Sequence, residues 1–104
     1  MNDEDKKKYL SLYLIQNAKI KRLGEMMLLN PGKQNEYISE IKRSESLRSE
    51  IERKIQAVDG GVLSELLFLK YVCGKPLLEI SCYINYSPRH TERLHKKALE
   101  KFRI

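Results

Sequence analysis

Apolar residues recur at steps of three and four through most of this chain, which predicts helices almost throughout. Tyr9, Tyr13, Ile20, Leu23 and Met27 mark the first stripe, and Leu10, Leu14 and Met26 widen it. They predict a long helix over residues 6–29, with Asn2 to Asp5 capping its positive end. Gly24 is a weak point within it, costing about 1 kcal/mol against Ala. Asn30-Pro31-Gly32 is a firm break, because Pro31 biases Asn30 away from helix and Gly32 supplies a turn. A second helix is expected over residues 34–58. Tyr37, Ile41, Ser44, Arg48, Ile51, Ile55 and Val58 alternate four and three apart, with Ser44 and Arg48 interrupting the seam. Such heptad spacing suits a coiled-coil-like dimerisation arm, or an intrachain hairpin with the first helix. The short Asn-Pro-Gly turn favours the hairpin.

The second half of the chain changes character. Asp59-Gly60-Gly61 ends the hairpin, and a Leu-rich helix follows over residues 62–72, with Leu63, Leu66, Leu67 and Leu69 able to bury. Leu77, Ile80 and Ile84 mark a shorter stripe that Pro76 can start. Ser81 is small where two helices must approach, and Asn85 lies where a left-handed backbone is needed, which Asn tolerates. Ser87-Pro88 is a strong helix start, since Ser can accept from an orphan amide and Pro has none to leave unpaired. Thr91, Leu94, Ala98 and Phe102 then share one face. Arg89, Glu92, Arg93, Lys96, Lys97 and Glu100 occupy the rest. Helix, permissive turn, capped basic helix is the order of a helix-turn-helix. The expectation is all-α: a long helical hairpin over residues 1–59, then a three-helix helix-turn-helix unit over residues 60–104.

Charge narrows the partner. The 104 residues carry a net charge of +6, and residues 89–103 hold six Lys or Arg against two Glu. A basic helix of this kind suits duplex DNA. With 41% hydrophobic and 33% charged residues, the core is thin and a partner chain could complete it. No apolar run reaches the roughly 20 residues of a membrane span. The acidic start lacks a signal-peptide shape, so a cytoplasmic protein is expected. Cys73 and Cys82 read as reduced, buried core thiols. With His90 and His95 they have the wrong spacing and context for zinc. No oriented nucleophile, phosphate-binding Gly loop or paired acid/base carboxylates stand out, so neither an enzyme nor a cofactor is expected.

The run Gly74, Leu77, Glu79, Ile80, Ser81, Ser87, Arg93, Ala98 and Leu99 resembles the part of sigma-70-like factors that reads the promoter −35 element. Ser87, Arg89, His90, Arg93, Leu94 and His95 more closely resemble small phage transcriptional regulators of the RinA/ArpU type. The resemblance covers the last third of the chain, departing at Ser81, where Ala is usual, and at Pro76, where a Ser or Thr cap is usual. It implies a sequence-specific, double-stranded DNA-binding regulator of phage or prophage origin, with RNA polymerase as a further partner. No segment resembles the sigma region that melts the −10 element, so a complete sigma factor is not expected. On this reading Arg89, His90 and Arg93 reach base edges. Lys96, Lys97 and Lys101 touch phosphates, and Glu92 disfavours some bases or pairs with Lys96. Glu79 would brace a recognition-helix Arg, and His95 would sit half-buried against the preceding helix of the motif. One small reading head has limited contact area, so a homodimer on two half-sites is expected. The alternatives are a small terminase-like packaging protein and an adaptor that binds protein rather than DNA.

Overall fold

A computed structural model describes residues 2–104 and is all-α, with no strand among the described residues. The helices are α1 (Asp3–Leu29), α2 (Gln34–Gln56), α3 (Gly61–Leu67), α4 (Leu77–Ile84) and α5 (Pro88–Lys101). Asn2 starts α1 by accepting from the Asp5 amide at 2.9 Å, and Asp3, Glu4 and Asp5 complement the helix dipole. Asn30 ends it, donating its amide to Met26 at 2.9 Å, and Pro31–Lys33 makes a single 3-10 turn into α2.

The two long helices form an antiparallel hairpin. Three cross-links fix the register: Tyr9 donates to Glu50 at 2.7 Å, Tyr13 donates to Glu52, and Arg48 donates to Asn17 at 2.9 Å. Burial, then the Glu52 hydrogen bond, pushes the Tyr13 hydroxyl up to about 12, so it stays a donor. The interruptions in the α2 stripe are thus part of the joint. Ser44 is buried, and Arg48 spends its charge on a cross-helix bond. Ile51, Ile55 and Val58 are buried within the chain, so this stripe serves the hairpin.

The expected continuous helix over residues 62–72 is instead two geometries. After α3 the backbone widens into a π-turn over Phe68–Val72, closed by the Cys73 amide on the Phe68 carbonyl at 3.1 Å. Side chains of α3 and of this turn face two cores. Leu66 and Leu69 meet Ile80 on one side, with Leu77, Ile84 and Leu94 closing around them. Leu63, Leu67 and Tyr71 join the main core on the other. That main core crosses the junction at residues 59 and 60, joining Leu10 and Tyr13 of α1 and Ile51 and Ile55 of α2 to Ala98, Leu99 and Phe102. Lys6 adds a polar clamp, donating at 2.7 Å to the Leu99 carbonyl at the end of α5, which also accepts from the Phe102 amide at 3.2 Å. Contrary to expectation, Cys73 and Cys82 are both exposed. They sit at the end of the π-turn and on the outer side of α4, away from both cores. No helix among the described residues is long and apolar enough to cross a membrane.

Candidate nucleic-acid interface

α4 and α5 are joined by a turn whose chemistry is local. Asn85 takes the left-handed conformation, φ 59° and ψ 38°, and its amide closes onto the Ser81 carbonyl. Ser81 is buried, as a small residue at this crossing should be. Ser87 then caps α5, its hydroxyl oxygen accepting from the His90 amide at 3.1 Å, with Pro88 at the first helical position. Gly74 takes φ +72° where a Cβ would stand 3.4 Å from Leu14, so a side chain there would be strained.

One face of α5 is locked down: Thr91, His95, Ala98 and Leu99 are buried and Leu94 is half-buried. Phe102, just past the helix, is fully buried. The opposite face carries Arg89, Glu92, Arg93 and Lys96, all exposed. Steps of three and four place them on one side of the helix. Lys97 and Lys101 are exposed on the flank, and His90 is half-buried, its ring edge-on to Tyr86 with centroids 4.7 Å apart. All seven candidate residues therefore lie on α5, and Arg89, Arg93, Lys96, Lys97 and Lys101 have no carboxylate partner among the described residues. One expectation fails here: Glu79 pairs with Lys75, four residues before it, at 3.4 Å rather than with an arginine of α5. Of the two roles expected for Glu92, the ion pair with Lys96 does not form. Leu78 and Tyr83 of α4 are also exposed, on different sides of that helix.

His95 also departs from expectation. It is buried against the π-turn rather than half-buried on α4, and its Nε2 lies 2.8 Å from the Tyr71 hydroxyl. Burial is the main cause that lowers its pKa to about 4, with the Lys70 and Lys7 charges adding to it. The folded state therefore refuses a proton that the unfolded chain, with an ordinary His near 6.5, accepts. Stability is present above the unfolded value and is lost as pH falls from about 6.5 toward about 4. Discounted for partial solvent screening, the loss amounts to about 2 kcal/mol. Denaturant unfolding at pH 7 and pH 4.5 should show it, and His95→Gln should flatten the difference relative to the parent. An equal pH slope in both proteins would remove His95 as the cause.

Arg89 and Arg93 were legible from helical spacing alone, whereas burial of His95 depends on Tyr71 in a distant turn. The signal that was present is the second half of the stripe. His95 and Leu99 follow Thr91 at steps of four, which widens the buried face beyond Thr91, Ala98 and Phe102. The arrangement offers five cations without a carboxylate partner among the described residues, and one polar imidazole, on one helix, which suits contact with a polyanion. No family model, curated protein or solved structure matches the chain.

Proposed function

We propose that this chain is a sequence-specific double-stranded DNA-binding regulator of transcription, of phage or prophage origin and of the RinA/ArpU type, working in the cytoplasm. It acts by binding rather than by catalysis. One observation carries the reading: α5 turns exposed Arg89, Arg93, Lys96, Lys97 and Lys101 outward while its other face is fixed into the core. A helix so held enters a major groove, with Arg89, His90 and Arg93 over base edges and the lysines over phosphates. RNA polymerase is a further partner in this proposal, and the protein binds as a homodimer on paired half-sites.

Selection of bound sites from random duplexes tests the reading when repeated at two salt concentrations. A convergent motif should emerge. Three phosphate-contacting lysines give a slope of log affinity on log salt of about −3 or steeper per chain. Failure to enrich any motif at the lower salt would refute it. A second reading, an adaptor that binds protein, is favoured by the exposure of Leu78 and Tyr83 on α4.

A further inference from the structure

The molecule is longer and barer than its mass requires. Its extents are 52 × 26 × 21 Å and its radius of gyration is 16.2 Å, against about 13 Å for a compact chain of this length. It exposes 6838 Å², whereas a compact monomer of 12.2 kDa exposes about 6,100 Å². The excess of about 700 Å² is close to the roughly 800 Å² that each partner buries in a standard interface.

Four of the exposed large apolar side chains, Leu14, Ile15, Leu28 and Leu29, lie along α1. Its residues Ile15, Ala18, Arg22, Glu25 and Leu29 are all exposed and recur at steps of three, four, three and four. That is the spacing of a two-helix seam, on the side of α1 away from Leu23 and Tyr13, which α2 covers. Within the stripe Ile15 is 57% and Leu29 78% exposed, high values for large aliphatic side chains. The outer side of α2 is mostly polar: Ile38 is its one exposed large apolar residue, and Lys42, Arg43, Glu45, Ser46, Ser49 and Arg53 are exposed there.

We propose that this outer stripe of α1 is the dimer seam, covered by the same stripe of a second copy running antiparallel. Charge selects the direction. An antiparallel register that sets Arg22 of one copy against Glu25 of the other does so twice about the two-fold axis, and sets Ala18 against Leu29 on either side. A parallel register would oppose Arg22 to Arg22 and Glu25 to Glu25, which repels. The proposal rests on the homodimer reading above, to which it gives a surface. It does not depend on α5 touching DNA.

Light scattering over about 1 to 100 µM decides it, since stable dimers of this size class fall in or below that range. The natural chain should reach twice the 12.2 kDa chain mass. Arg22→Glu and Glu25→Arg should each raise the dissociation constant at least about tenfold by opposing like charges at both contacts. Both substitutions lie on exposed positions, so circular dichroism should remain that of the parent. An equimolar mixture of the two variants, and the double variant R22E/E25R, should regain the doubled mass, because opposite charges face each other again. A natural chain of single mass throughout, or single variants that dimerise as tightly as the parent, would overturn the seam. A monomeric natural chain would leave DNA binding by α5 standing. A dimer indifferent to duplex DNA would sink only the regulator.

Discussion

Truncating Phe102 to alanine is expected to remove about 4 kcal/mol of folding stability and to lower the melting temperature by about 20 °C. The residue lies one position past α5, yet none of its surface reaches solvent. Its ring centroid is 6.0 Å from that of Tyr9, so it joins the end of α5 to the start of α1. It shares a core with Leu10, Ile55, Leu63, Leu67 and Leu99, drawn from four helices. Alanine there would leave a cavity that four helices must collapse around together. A domain of this size holds only about 5–15 kcal/mol in total, so the loss would approach half of it. Ile104→Ala is the internal comparison. Ile104 is two residues further on and exposed, so the change should stay within about 0.5 kcal/mol. Thermal melts of the two variants beside the parent measure the contrast. A Phe102 variant that melts with the Ile104 one would mean that the hairpin and the helix-turn-helix are not joined there.

The same core separates what could be read from the sequence from what could not. Caps, breaks and turns are decided by a few neighbouring residues, so Ser87-Pro88, Asn85 and Asn30-Pro31-Gly32 could be placed from the sequence alone. Stripes are nearly as local, and they predicted α1, α2 and the buried side of α5. The misses concern partners far apart in the chain. Lys6 clamps the Leu99 carbonyl across 93 residues, and nothing near either residue announces the pairing. Arg48 looked like a flaw in a heptad because its answer, Asn17, sits on the other helix. The π-turn at Phe68–Val72 has no composition that marks it, and through Tyr71 it decides that His95 is buried. Cys73 and Cys82 were expected inside because thiols usually are. Their exposure depended on how the π-turn before Cys73 ends and on which side of α4 Cys82 falls.

Arg89→Ala with Arg93→Ala is expected to weaken binding to a selected DNA site by about 2–4 kcal/mol, or roughly 30- to 1,000-fold. Both side chains are exposed, one turn apart, and no carboxylate holds either among the described residues. Neither contributes to the core, and Ala is a better helix former than Arg, so melting should stay within about 0.5 kcal/mol of the parent. The loss should fall mainly on the preferred sequence, because two hydrogen bonds to a guanine edge are what the wrong base cannot offer. Lys97→Ala and Lys101→Ala supply the contrast. Each should weaken preferred and random duplexes alike and reduce the steepness of the salt dependence by about one unit. Equal losses on all duplexes from every one of these changes would mean that α5 grips the backbone without reading bases. Unchanged DNA binding, with function intact, would transfer the role of this surface to a protein partner, where the exposed Leu78 and Tyr83 of α4 are the first residues to replace.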